Sequence, residues 1–140
     1  MKMNLRKYAL AIIAFIVVGF IVTFIWHLVL FGSVYQKLYL VTIPSPIFAL
    51  GFLSFVIEGL AFVYVFEKFR RGKNPAREGL LFGILVYSLL MGSVAVIAHA
   101  AKHDVGNMAL WFSLEGSYFI IVGAVLGTIV GLIYGKSPSQ

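Results

Sequence analysis

Four long apolar runs constrain this 140-residue chain more than any other feature of its sequence. Each is close to the roughly 20 residues with which an α-helix crosses a ~30 Å hydrocarbon core. Their residues do not alternate between apolar and polar, as the strands of a membrane barrel would. The sequence therefore predicts an all-α integral membrane protein with a single domain, residues 1–140, folded as a four-transmembrane-helix bundle. The predicted helices cover residues 8–31, 46–66, 80–101 and 109–134.

The composition agrees with a lipid bilayer as the surroundings of the chain. Hydrophobic residues make up 61% of it and the mean hydropathy is +1.01, which is unlike a soluble globular protein. The first apolar run is longer than the roughly 7–15 residues of a signal-peptide core, so we expect it to remain as a helix. There is no cysteine, which excludes disulfides and cysteine nucleophiles.

Lysine and arginine are distributed unevenly among the segments that flank the runs. Two of them, Lys37 and Lys102, belong to the first and third connections. The other nine lie before the first run, between the second and third, or after the fourth: Lys2, Arg6, Lys7, Lys68, Arg70, Arg71, Lys73, Arg77 and Lys136. The positive-inside rule then predicts cytoplasmic N- and C-termini. Because the positive charge lies at helix ends, we expect no nucleic-acid partner for this chain of net charge +6.

The last run contains glycines at intervals of four, which form one continuous groove on a helix. They are Gly123, Gly127, Gly131 and Gly135. Helices in a bilayer associate through close backbone contact, so this groove predicts a tightly packed neighbour, either within the monomer or in a homodimer. Two further faces are expected to point inward for the same reason: Gly51, Ser54, Glu58 and Ala61 on the second helix, and Ser88, Gly92, Ala95 and His99 on the third.

Glu58 is the one carboxyl deep inside an apolar run. It lies 12 residues beyond Pro46, or ~18 Å along a helix, close to the bilayer midplane. An ionised carboxylate there is costly, so we expect a neutral group that hydrogen-bonds a neighbouring helix, with Tyr87 and Ser88 as partners at similar depth. Two interpretations stay open: a structural, protonated glutamate, or a proton- or cation-coupling carboxylate.

A second group of polar residues is predicted at the outer ends of the helices. It comprises His27, His99, His103, Asp104 and Glu115. His99 and His103 are four residues apart, the spacing that places two imidazoles on one helical face and lets them share a divalent metal ion. The same groups could form a pH-sensitive cluster, or serve only as loop residues and interhelical hydrogen-bond donors. Nearby Trp26, Tyr35, Tyr39 and Trp111 fit an interfacial aromatic belt.

The segments WHLVLFGSVYQKL and REGLLFGILVY, with a glycine-rich last helix, resemble a bacterial family of small four-helix membrane proteins catalogued as a domain of unknown function. Trp26, Leu30, Phe31 and Gly32 match its pattern, whereas His27 replaces an expected aromatic residue. The resemblance implies the fold and a place in the cytoplasmic membrane of a prokaryote, but no activity.

Known catalytic motifs do not occur in the sequence, including phosphate-binding loops, HExxH and GxSxG. We therefore expect a non-enzymatic membrane protein, acting as an accessory, assembly or interaction subunit beside other membrane helices. One alternative is a homodimeric small transporter or channel in which Glu58 couples a proton or cation. Another is a metal- or pH-responsive module at the outer face.

Overall fold

The computed structural model describes residues 4–38 and 47–135, and these are helical apart from short connections. Four helices are long and apolar enough to cross a membrane: α1 (Leu5–Leu30), α3 (Phe48–Phe69), α4 (Pro75–Lys102) and α5 (Met108–Tyr134). A fifth, α2 (Gly32–Leu38), is short and follows α1. The prediction of an all-helical chain with four such helices is confirmed. Lys2, Tyr39, Pro46 and Lys136 lie outside the described residues.

The helices continue beyond the apolar runs where the flanking residues can cap them. At the start of α4 the Asn74 side chain accepts a hydrogen bond from the Arg77 backbone N–H at 3.2 Å, and Pro75 occupies the first turn. Both are typical of a helix N-terminus, so α4 begins five residues before the predicted position 80. The helix α3 likewise runs to Phe69 instead of residue 66.

Two helical segments are wound more widely than an α-helix. The last turns of α1, Ile25–Leu30, and the middle of α4, Gly83–Gly92, have π-helical hydrogen bonding, in which a backbone N–H reaches the carbonyl five residues back. These segments contain Trp26 and His27 in one case and Tyr87 and Ser88 in the other. The wide winding therefore coincides with polar side chains that point into the bundle.

The closest helix contact joins α4 to α5 through glycine. A Cβ atom added at Gly83 would lie 3.0 Å from the Gly127 Cα and would overlap the Gly123 carbonyl. Gly131 is pressed in the same way against Pro75 and Gly79. The groove predicted on the last helix thus faces α4 within the same chain.

Gly135 does not belong to this contact. It lies beyond the end of α5 with φ +66°, a left-handed conformation that glycine adopts without a steric cost. The fourth glycine of the predicted groove therefore terminates the helix, and the contact on α5 consists of Gly123, Gly127 and Gly131.

The remaining core is aromatic and lies between α1, α3 and α5. Phe15 of α1 is fully buried, 5.0 Å from the Phe62 ring centroid, and Phe62 in turn contacts Phe82 of α4. The side of α3 that faces this core consists of Phe55, Gly59, Phe62, Val63 and Phe66.

The predicted inward face of α3 is therefore wrong. Gly51, Ser54 and Ala61 are exposed and Glu58 is half-buried, because large aromatic side chains fill the space next to α1. On α4, Ser88 and Gly92 are buried as expected, whereas Ala95 is exposed and His99 is half-buried.

The glycine contact predicts that Gly127→Ala lowers the free energy of unfolding in detergent by about 1–3 kcal/mol, because the added methyl group forces the backbones apart. Gly116→Ala is the matched control on the same helix, since a Cβ there meets nothing within 4 Å. Chemical denaturation of both variants measures the effect, and equal stability of the two would contradict the contact.

Candidate functional site

A buried carboxylate anchors a polar network at the end of the bundle that holds all three histidines, here called the histidine end. Glu115 of α5 is 7% exposed. Its Oε1 atom lies 3.3 Å from His27 Nε2 and also accepts a hydrogen bond from the Tyr35 hydroxyl of α2. Trp26 Nε1–H donates to the Tyr35 oxygen at 3.1 Å. The network thereby ties α1, α2 and α5 together.

The His27 ring and Glu115 share one proton. His27 Nδ1 lies 3.1 Å from the Thr23 carbonyl oxygen, which can only accept, so Nδ1 carries a hydrogen. The contact between Nε2 and Oε1 then needs a further proton, because a bare ring nitrogen and a carboxylate oxygen both accept. That proton belongs to His27 in an ion pair, or to Glu115 in a neutral pair.

A second set of hydroxyl groups continues the network toward the middle of the bundle. The Thr23 hydroxyl lies 2.5 Å from that of Tyr118, and the Tyr118 and Tyr87 hydroxyls hydrogen-bond each other. Tyr87 then donates to Glu58 Oε2 at 3.2 Å. Of the two partners expected for Glu58, the structure brings Tyr87 to it, whereas Ser88 donates to the Phe119 carbonyl at 2.7 Å.

The five residues expected to bind a metal ion are not brought together. His27 is with Glu115, while the His99 ring stacks on Trp111 with centroids 4.7 Å apart and lies 4.6 Å from the His103 ring. Asp104 accepts a hydrogen bond from the Gly106 N–H within its own loop. Within residues 4–38 and 47–135, no three histidine or acidic side chains form a metal-binding group.

The physical reason is the aromatic packing between the two histidine helices. Trp111 and Tyr35 are 4% and 7% exposed, and their rings meet edge to face at 6.5 Å. They fill the space in which His27 and His99 would have to converge. The expectation of an interfacial belt is accordingly wrong for Tyr35 and Trp111, which belong to the core of the histidine end.

Several members of the network were missed in the sequence, although helical spacing relates them to residues that were found. Tyr118 follows Glu115 by three positions and Thr23 precedes His27 by four, so each pair shares a helical face. A search for hydroxyl groups one turn from each stranded charge would have found both. Tyr35 carries no such signal, because its place depends on how α2 folds back.

The opposite end, here called the basic end, is held by acidic groups that the sequence left unassigned. Glu67 is 8% exposed and accepts a hydrogen bond from Arg70 Nε at 3.1 Å. The Arg70 guanidinium lies over the Tyr134 ring, 4.6 Å from its centroid, and Lys7 donates to the Tyr134 carbonyl. The start of α1 and the end of α5 therefore meet at the same end.

The connection between α3 and α4 is folded around a single carboxylate. Glu78 accepts hydrogen bonds from four successive backbone N–H groups, those of residues 71–74, at 2.8–3.3 Å. Such a set of converging backbone donors is favourable for a negative charge. It fixes the turn while the flanking basic side chains point into solvent.

No protein-family model, curated protein sequence or solved structure matches this chain. The resemblance to a family of small four-helix membrane proteins therefore stays a prediction.

The network at the histidine end predicts different outcomes for two substitutions of Glu115. Glu115→Ala leaves His27 and Tyr35 without their acceptor, and we expect it to lower the free energy of unfolding by about 3 kcal/mol. Glu115→Gln keeps an acceptor for Tyr35 and a donor for neutral His27, so we expect a loss below about 1 kcal/mol. Denaturant titration distinguishes them, and an equal loss in both variants would show that the hydrogen bonds do not stabilise this end.

Proposed function

We propose that this chain is a non-enzymatic subunit of a membrane complex and that it binds another transmembrane helix through one side of α3. This side, the exposed α3 face, consists of Ser54, Glu58, Ala61 and Val65. These residues are spaced by three or four positions and so share one helical face. All are exposed except Glu58, which is half-buried.

The position of α3 at the edge of the bundle supports this proposal. Its backbone packs closely on α1, where Gly59 lies against the Phe15 ring, whereas only large side chains such as Phe62 and Phe66 reach α4. Small residues at Ser54 and Ala61 allow a second backbone to approach, which is how helices associate in lipid.

Glu58 is the observation that carries the proposal. A carboxyl group offers about four acceptor positions, and Tyr87 provides the one hydrogen bond that Glu58 receives from the described part of the chain. An unsatisfied polar group in hydrocarbon costs several kcal/mol. A partner helix with a hydroxyl, amide or basic side chain at this depth would remove that cost, and we propose that this is what the exposed α3 face binds.

In this proposal the basic end lies in the cytoplasm of a prokaryotic cell and the histidine end outside. The orientation is supported by Lys68, Arg71 and Lys73, which are exposed beside the Glu78 turn. Positive charge at this density is retained on the cytoplasmic side of membrane proteins.

Ala61→Leu tests the proposed interface, because a larger side chain on the exposed α3 face prevents close approach. We expect the protein, extracted from its native membrane in mild detergent, to have a mass well above two copies of the 15.5 kDa chain. Ala61→Leu should reduce this to the single chain. Ala95→Leu, an exposed alanine on α4, is the control and should leave the mass unchanged.

Two results would decide against this function. A single-chain mass for the unmodified protein would reject an interface on α3. A mass of two copies would favour the homodimeric transporter or channel, since four helices scarcely enclose a pathway alone.

A further inference from the structure

We propose that Glu58 exchanges its proton with the histidine end of the bundle through a relay of three hydroxyl groups, those of Tyr87, Tyr118 and Thr23. The relay lies within one chain. It therefore extends the role of Glu58 beyond partner binding and does not depend on the proposed complex.

The hydrogen bonds of the relay are continuous and share one direction. A carboxylate only accepts, so Tyr87 donates to Glu58 across their 3.2 Å contact. The Tyr87 hydroxyl hydrogen is then used, and the bond between the two tyrosines requires Tyr118 to donate. The 2.5 Å contact of Tyr118 with Thr23 is then donated by Thr23. Each hydroxyl both accepts and donates, as stepwise proton transfer requires.

Aromatic packing leaves the hydroxyl groups as the polar route through this part of the bundle. Tyr87 and Tyr118 are 2% and 5% exposed. The Tyr87 ring is packed among the rings of Phe15, Phe62 and Phe119 at centroid distances of 5.8–6.5 Å. Bulk water is thereby kept from the buried bonds.

The arrangement gives Glu58 access to one end of the bundle. Toward the basic end, the interior next to α3 contains Phe62, Phe66 and Phe82, which contact one another and carry no polar atoms in their side chains. Toward the histidine end, Thr23 and His27 line a cavity of about 180 Å³ that opens between α1 and α3. Water in this cavity would meet the first hydroxyl of the relay.

The titratable groups around the relay come from three helices. Glu58 belongs to α3 and faces Tyr87 of α4 and Tyr118 of α5, while α1 presents Phe15 and the non-titrating Thr23. At the entrance, the His27 ring packs edge to face on Tyr118 at 4.6 Å. His27 and Glu115 hold their shared proton there, which keeps positive charge available beside the relay.

Uptake of a proton proceeds by four coupled transfers. Tyr87 gives its hydroxyl hydrogen to Glu58 Oε2 and receives that of Tyr118, Tyr118 receives that of Thr23, and Thr23 receives a proton from water in the cavity. One O–H bond breaks and one forms at each hydroxyl, so the net change is a proton moved from water to Glu58. Rotation of the hydroxyl groups restores the starting orientation.

Infrared spectroscopy of the purified chain tests the relay. At acid pH the carbonyl stretch of protonated Glu58 is identified as the band lost in Glu58→Gln, and its shift in D₂O reports exchange of the carboxyl proton. Tyr118→Phe removes one hydroxyl and keeps the ring, so we expect exchange at least tenfold slower. Tyr64→Phe, which alters an exposed tyrosine on α3, should exchange at the unmodified rate.

Thr23→Val interrupts the same relay with little change of shape and gives the test a second variant if Tyr118→Phe fails to fold. Unchanged exchange in a folded variant of either kind would overturn the relay, as would absence of a Glu58 carbonyl band at any acid pH. Ala61→Leu should exchange normally. A failure of the proposed complex is therefore distinguishable from a failure of the relay.

Discussion

The arrangement of this bundle depends on the backbone contact between α4 and α5. In lipid, apolar side chains gain nothing from leaving their surroundings, so helices are held by close packing and by hydrogen bonds between them. Gly79 and Gly83 on one helix and Gly123, Gly127 and Gly131 on the other provide that packing. The contact continues directly into hydrogen bonding, because Ser88 reaches the Phe119 carbonyl one turn further along. Tyr87 and Tyr118 are thereby brought side by side.

Polar groups in this apolar chain are grouped at three depths, and each group joins different helices. Glu67 and Arg70 hold the basic end with Tyr134, Glu58 and Tyr87 join α3 to α4, and Glu115 gathers His27 and Tyr35 at the histidine end. A buried polar group is costly when unpaired and specific when paired. The three groups therefore fix which helices are neighbours and at what depth, which the apolar surfaces alone would leave undefined.

The sequence determines depth well and rotation about the helix axis poorly. Apolar runs of membrane length predicted the four long helices, and depth alone selected Tyr87 as a partner for Glu58. Rotation failed on α3, because aromatic residues next to α1 are no more apolar than those next to lipid, and Ser54 and Ala61 turned out to be exposed. The expected metal site failed likewise: His27 and His99 are near the same end, but Tyr35 and Trp111 fill the space where they would have to converge.

The central claim is that α4 and α5 together present a tyrosine hydroxyl to the carboxyl group in the middle of α3. Solid-state NMR of the isotopically labelled chain in lipid bilayers measures this directly. The account predicts a through-space correlation between the Glu58 carboxyl carbon and Tyr87 Cζ, two carbons whose oxygens are 3.2 Å apart. Correlations of the Glu58 carboxyl carbon with lipid acyl chains, and none with Tyr87, would contradict it.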